Sequence, residues 1–252
     1  MAASGFKDHF SGNSADYADY RPGYPEALFA WLAGQAPERE LAWDCATGSG
    51  QAALGLAPHF RTVVATDASA DQIAQARPRT GVRYAVAPAE ASGLAPGSVD
   101  LVTVAQAAHW FDPPAFHAEV RRVLKPGGLL ALWCYGRLVI EPSLDEPIEA
   151  FYNGLLGPYW PPERRLVESG YRDLDFPFRE EPVPAFAMTA TWTLDQLLGY
   201  FSTWSAVKRY RQATGSDPLP ALRSTLEALW VSLEEPKPIK WPLSLRLGRV
   251  QA

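Results

Sequence analysis

Asp44, Gly48, Gly50, Asp67 and Glu90 are the residues of this chain whose types and spacing most suggest chemistry. In LAWDCATGSGQAA, residues 41–53, an apolar run stops at Asp44. A small-residue loop with Gly48 and Gly50 follows, and then a helix-forming run begins. Glycines let a backbone turn tightly and approach a ligand closely. Amides at the start of a helix offer free donors. The unit therefore suits an adenosine-containing cofactor. Gly48-Ser-Gly50-Gln-Ala-Ala53 also satisfies the loose G-x-G-x-x-G/A dinucleotide fingerprint, and Asp67 lies near the distance at which an acid binds a ribose. A nicotinamide dinucleotide and an adenosyl amino acid both pass that test. Asp44 favours the second, because a carboxylate complements an ammonium group and repels a pyrophosphate. Glu90, in Pro88-Ala-Glu90-Ala, can accept from an adenine amino group; its plainer reading is a helix-start acid.

A second group of residues follows the fourth apolar segment. His109 would lie on a loop at the carboxyl end of the sheet, where open α/β folds bind ligands. Its imidazole could serve as a general base, or be a structural group bonded to backbone. Trp110 and Phe111 beside it are candidates for an acceptor-pocket wall, and core packing is their rival reading. His9, His59 and His117 are scattered without metal-ligand spacing, so no metal is expected.

The elements that must position these groups alternate over the first half. Candidate strands are Leu41–Cys45, Thr62–Thr66, Val82–Val86, Val99–Val104 and Leu129–Tyr135, short and apolar as buried parallel strands are. Ser69 with Gln72 reads as a capping box. Asp112-Pro113 reads as an N-cap followed by the first helical residue, with Phe116, Val120, Val123 and Leu124 on one apolar face. Lys125-Pro-Gly-Gly128 should end that helix and turn the chain into the fifth strand. Such alternation predicts an α/β, Rossmann-like, doubly wound sheet.

After Gly136 the pattern changes. Helices are expected within 144–157 and 163–169, and a strand over Phe186–Trp192. Thr193 and Gln196 form another capping box, with a stripe of Leu194, Leu197, Leu198, Phe201 and Trp204 that reads as core. Asp217-Pro218 opens a helix carrying Leu222, Leu226, Leu229 and Leu233. A last strand is expected over Ile239–Val250, returning to the sheet.

With 252 residues, 47% of them hydrophobic, the chain can bury a proper core. A net charge of −5 without basic runs argues against a nucleic-acid binder. No apolar run approaches the roughly 18 residues of a membrane span, and the N-terminus has no secretory signal, so a cytoplasmic protein is expected. Two cysteines, Cys45 and Cys134, are too few for a disulfide scaffold. Most of the 23 prolines fall in the second half, which predicts an irregular region there.

WDCATGSGQ, VVATDAS, APAEASGLAPGSVDLVTVAQAAHWF and RRVLKPGGLLAL together resemble the class I S-adenosylmethionine-dependent methyltransferases, specifically the small-molecule branch often called type 11. YADYRPGYP and YFSTWSAVKRY are similar to segments of the trans-aconitate methyltransferase-like proteins. The resemblance covers roughly 40–135 and, more loosely, the whole chain. It implies a mostly parallel seven-stranded sheet with helices on both faces and a helical, irregular C-terminal lid insertion. The expected organisation is a single domain over 1–252. Residues 1–37 would close over the site, 38–136 would bind the cofactor, 137–240 would form the lid, and 239–250 would be the closing strand.

The resemblance also implies residue roles. Asp44, Ala46 and Gly48 would surround the methionine part of S-adenosylmethionine, and Gly50 would permit close approach. Asp67 would hold the ribose hydroxyls, and Ala68 would pack on adenine. Ala89 and Glu90 would meet the adenine edge. Ala105 and Gln106 would lie near the sulfonium. Tyr20 and Arg21 would close over the site, with Arg21 a candidate partner for the cofactor carboxylate. Ala46 departs from the family, which has glycine there, and is tolerable if its φ is not positive. The implied activity is methyl transfer to a small-molecule carboxylate or hydroxyl, giving S-adenosylhomocysteine, with His109 a candidate catalytic base. Trp160 and Trp204 join His109, Trp110 and Phe111 as candidate acceptor-pocket residues, and Tyr159 and Trp192 are further lid aromatics. An NAD(P)-dependent oxidoreductase and a non-catalytic cofactor-binding protein are the alternatives. The sequence leaves the oligomeric state open.

Overall fold

The computed structural model describes residues 22–250, so Tyr20 and Arg21 lie outside the described residues. Helix α1 (Glu26–Gln35) leads into β1 (Leu41–Cys45), α2 (Gln51–Leu56), β2 (Thr62–Asp67), α3 (Ala70–Ala74), β3 (Val82–Val86) and β4 (Val99–Ala105). A 3-10 turn at Ala108–Trp110 precedes α4 (Pro113–Val123) and β5 (Leu124–Tyr135). Then come α5 (Pro142–Ala150), a π turn at Phe151–Leu155, a 3-10 turn at Gly157–Tyr159 and α6 (Arg164–Glu168). The chain continues through β6 (Arg179–Glu181), β7 (Phe186–Trp192), α7 (Leu194–Ser202), α8 (Ser205–Thr214) and α9 (Leu219–Leu229). It ends in β8 (Lys237–Arg249).

The strands lie in the order β3-β2-β1-β4-β5-β8-β6, with β7 also paired to β8. Strands β3 to β5 are parallel, and β8 runs antiparallel to β5 from Leu129↔Arg249 to Tyr135↔Leu243. The sheet has eight strands where the sequence resemblance implied seven. The long β8 accounts for the extra one: β6 pairs its end near Arg249 and β7 pairs Lys237–Leu243, so two short strands share one edge position.

Alternation along the strands fills both faces of the sheet, because successive side chains point to opposite sides. Trp43, Val102, Leu130 and Leu132 pack with Phe116, Val120 and Val123 of α4 on one face. Ala42, Leu101, Leu129 and Trp133 pack with Leu28, Phe29 and Leu56 of α1 and α2 on the other. A third core joins α5, α7, α8 and α9 beside β7 and β8 through Leu144, Leu197, Phe201, Leu226 and Trp241.

Local chemistry sets the element ends. Asp112 Oδ1 accepts from the Ala115 amide and Pro113 follows it, as the sequence predicts. Thr193 and Gln196 cap α7 reciprocally. Ser69 caps α3 in one direction, accepting from Gln72 N at 3.4 Å. Lys125-Pro-Gly-Gly128 differs from expectation. It belongs to β5 as an irregularity, with Leu124 opposite Val99 and Leu129 opposite Leu101. Gly127 has φ +76°, and a Cβ on Gly128 would come within 2.9 Å of the Lys125 carbonyl oxygen, so this fold-back needs both glycines. Helix α9 ends earlier than its apolar spacing suggests. Trp230 turns to extended backbone and buries itself, which leaves Leu229 and Leu233 exposed.

Candidate functional site

The carboxyl ends of β1, β2 and β4 lie together, and the loop from β1 to α2 crosses above them. Register places Asp44 between Ala65 of β2 and Thr103 of β4. Asp44 is fully buried. Its carboxylate accepts from Thr47 Oγ1 at 2.5 Å and Thr103 Oγ1 at 2.8 Å, and the Ala53 amide faces it. Burial pushes its pKa from 3.8 up to about 6, against the lowering effect of those donors and with a further upward push from the Asp67 charge.

The loop is held in left-handed backbone. Ala46, Gly48 and Gly50 have φ of +53°, +57° and +91°. Ala46 therefore occupies the conformation that the sequence reading required it to avoid, and its methyl group is strained there. Thr47 N donates to Thr66 O at 2.9 Å, which ties the loop to the end of β2. A Cβ on Gly50 would sit 2.6 Å from the Tyr84 hydroxyl. Tyr84 of β3 thus packs directly on the loop, a contact the spacing of the motif did not signal.

Asp67, at the end of β2, accepts from Gly48 N through Oδ2 and from Ser69 N through Oδ1, each at 2.9 Å. It locks the loop to the start of α3. A carboxylate has about four acceptor sites, so each oxygen keeps capacity for a hydroxyl. Ala68 beside it is half-buried, and Ala89 is buried against the β1–β4 face of the sheet. Glu90 Oε1 accepts from Asp112 N at 3.2 Å, joining the loops that follow β3 and β4.

Ala105 ends β4. Gln106 follows with φ +57°; its amide donates to Trp133 O and its Nε2 to Tyr135 O, both at 2.9 Å. Its buried Oε1 has no hydrogen-bond partner among the described residues. A strained residue with an unused buried acceptor, at the carboxyl end of the sheet, is a candidate ligand contact.

His109 stands in the turn after β4. Its Nδ1 lies 2.9 Å from Tyr171 Oη, and its ring packs 4.7 Å from that of Trp110. Burial, and secondly the Arg164 cation, lower its pKa to about 4. Phe111 turns to Phe116, with ring centroids 4.8 Å apart. Trp160 and Trp204 meet around Tyr152, at 4.5 and 5.5 Å from its ring. Trp204 is buried in that cluster and Trp160 is half-buried. Tyr159 and Trp192 pack against the same core. Arg164 of α6 bonds Tyr152 Oη through Nε at 2.6 Å and lies over the Trp160 ring at 5.0 Å. Helix α6 packs against the His109 turn, so the aromatic cluster and the end of β4 share a border.

Thr47, Thr103, Tyr84, Tyr152, Arg164 and Tyr171 are site residues the sequence reading missed. Pairing β1 with β4 in register would have found Thr103 opposite Asp44; the others carry no local signal. Cys45 ends β1 and Cys134 lies one residue before the end of β5, both as buried thiols, with β4 between those strands. No group of three metal-ligating side chains occurs among the described residues, and no helix there is long and apolar enough to cross a membrane.

Residues 43–132 match the family described as Methyltransferase domain. A protein of Dictyostelium discoideum named as a methyltransferase is 35% identical over 225 residues, covering 88% of this chain and 86% of its own. A Saccharomyces cerevisiae protein named as an S-adenosylmethionine-dependent methyltransferase is 30% identical over 152 residues, covering 56% of this chain and 51% of its own. A solved structure from Anaeromyxobacter dehalogenans, titled as a type II methyltransferase, is 49% identical with a TM-score of 0.88. It covers 92% of this chain and 98% of its own.

Proposed function

We propose, from the premise that this chain belongs to the class I S-adenosylmethionine-dependent methyltransferases, that it methylates an oxygen, carboxylate or hydroxyl, of a small-molecule acceptor. Family membership removes the nicotinamide-dependent alternative that the loose glycine fingerprint had left open. The observation that carries the small-molecule reading is the border between α6 and the His109 turn. There Tyr171 bonds His109 just past the end of β4, and Arg164, which bonds Tyr152 and lies over Trp160, sits on the helix packed against the same turn. Aromatic walls brought to the end of a cofactor strand suit a compact acceptor, and the net charge of −5 gives no electrostatic footprint for nucleic acid.

The residues fit the cofactor's chemistry. When bound, S-adenosylmethionine supplies a methyl group already activated by a positive sulfur, so the main task of the protein is alignment. Asp67 offers acceptor sites for the ribose hydroxyls while two amides fix its orientation. Gly48 and Gly50 give a close-approach backbone. Buried Asp44 carries its charge beneath Thr47, so it complements an ammonium group across the loop and positions Thr47 through a 2.5 Å bond. Gln106 Oε1 supplies an acceptor at the end of β4. Residues 137–240 act as the lid, excluding water from the transfer.

A screen of small carboxylic acids, phenols and amines with labelled cofactor tests the reading. Label transferred to an acid or hydroxyl compound is expected. Label transferred only to amines, or only to macromolecules, would overturn it.

A further inference from the structure

We infer that Arg164 and His109 together form a subsite for an anionic oxygen group of the methyl acceptor, with His109 acting there as a hydrogen-bond donor and not as a base. The inference rests on the acceptor-pocket reading above and gives it a substrate class.

Arg164 is half-buried, and its guanidinium is committed only in part. Nε donates to Tyr152 Oη at 2.6 Å, and the guanidinium lies over the Trp160 and Tyr152 rings at 5.0 and 5.6 Å. The adjacent acid, Glu168, accepts from the Tyr152 hydroxyl at 2.9 Å and makes no ion pair with Arg164. Two other half-buried arginines, Arg246 and Arg249, are closed by Glu180 and Glu181. Arg164 forms no salt bridge among the described residues, and most of its five N–H donors stay available. Trp160 holds its plane from one side, so the fork is preorganised for a planar, bidentate anion.

His109 is oriented by Tyr171, which is fully buried. The backbone of Ala108 and His109 lies toward the phenol oxygen and favours its accepting side, against the upward push of burial on its pKa. In the proposed assignment the phenol donates its proton to Nδ1 across 2.9 Å. That leaves the ring proton on Nε2, outside the Tyr171 bond. Burial, and secondly the Arg164 cation, keep the ring neutral at physiological pH. A neutral imidazole whose free nitrogen carries the proton donates and cannot abstract. One cation and one N–H donor beside the Tyr152, Trp160 and Trp204 cluster call for a carboxylate or a phosphate monoester.

The test uses the full chain saturated with S-adenosylhomocysteine and three probes: phenylacetate, phenyl phosphate and phenylacetamide. Titration calorimetry is expected to show one anionic probe, the carboxylate or the phosphate, binding at least tenfold tighter than the neutral amide. R164Q should remove at least tenfold of that preference while S-adenosylhomocysteine affinity stays unchanged. R164K, which keeps the charge and loses the fork, should retain part of it. The His109 side-chain 15N spectrum should show the proton on Nε2, and the ring pKa should rise when the anion binds. Equal binding of acid and amide, no binding of either anion, unchanged preference in R164Q, or a proton on Nδ1 would each overturn the inference. Arg164-independent methylation of neutral phenols would overturn it while leaving the oxygen-methylation reading standing. Failure to bind S-adenosylhomocysteine would defeat that reading itself.

Discussion

Asp44→Asn should make the cofactor-free protein more stable at neutral pH. In the folded chain burial raises the Asp44 pKa from 3.8 to about 6. The folded state therefore holds a proton that the unfolded state has released, and stability falls as pH rises from about 4 to 6. At about 1.4 kcal/mol per pH unit, the ionised carboxylate costs about 3 kcal/mol above pH 6. Asparagine is nearly isosteric, and the hydroxyls of Thr47 and Thr103 can rotate to accept from its amide. Poorer bonding returns about 1 kcal/mol of the gain. The net stabilisation at pH 8 is then about 2 kcal/mol, or roughly 4–8 °C in Tm for a chain of this size, and near pH 4, where only the poorer bonding remains, the variant should be less stable than wild type by up to about 1 kcal/mol. Thermal melts of both proteins from pH 4 to 8, without cofactor, measure the difference, in which all other titrating groups cancel. A gap independent of pH, or a variant less stable at pH 8 than at pH 4 relative to wild type, would refute the reasoning. In its proposed role opposite the cofactor's ammonium group Asp44 trades stability for charge, so S-adenosylhomocysteine should bind the variant more weakly.

Three further outcomes follow from the same geometry. Ala46→Gly relieves about 1–2 kcal/mol of left-handed strain and costs about 0.5–1 kcal/mol in unfolded-state entropy, so denaturant titration should show a small stabilisation. A loss above 1 kcal/mol would show that the methyl group packs usefully. Asp67→Ala should weaken S-adenosylhomocysteine binding by about 1–3 kcal/mol in calorimetry, whereas unchanged affinity in a folded variant would remove Asp67 from the site. Glu119 is held at a pKa of about 2, first by its hydrogen bonds from Arg122, against the opposing effect of burial and with help from Ser92. Its contribution is therefore present above pH 4.5 and lost as pH falls towards 2. Glu119→Gln should lower stability at pH 7 by about 1–3 kcal/mol and flatten the acid limb of the unfolding profile.

The glycine loop and the acids beside it, the proposed cofactor half of the site, are local in sequence, and so their geometry was legible. Asp44, Gly48, Gly50 and Asp67 belong to one strand–loop–helix–strand unit, whose small residues and strand ends fix their meeting within 24 residues. Strand β7 falls on Phe186–Trp192, and the Asp112 and Thr193 caps form, because short-range bonding decides them. The sharing of one edge by β6 and β7 was not legible, since it depends on how far β8 extends. Nor was the bulge at Lys125–Gly128, where the glycines read equally as a turn.

By itself the sequence determined the alternating α/β core and the glycine loop between β1 and α2, because burial periodicity and glycine conformations are written residue by residue. Only the tertiary structure decided that Asp44 is buried beneath Thr47 and Thr103, that Ala46 is strained, and that His109 leans on Tyr171 beside Arg164. Those contacts join residues tens of positions apart. Their protonation and strain are set by burial and by neighbouring charge, quantities that exist only once the chain has closed around them.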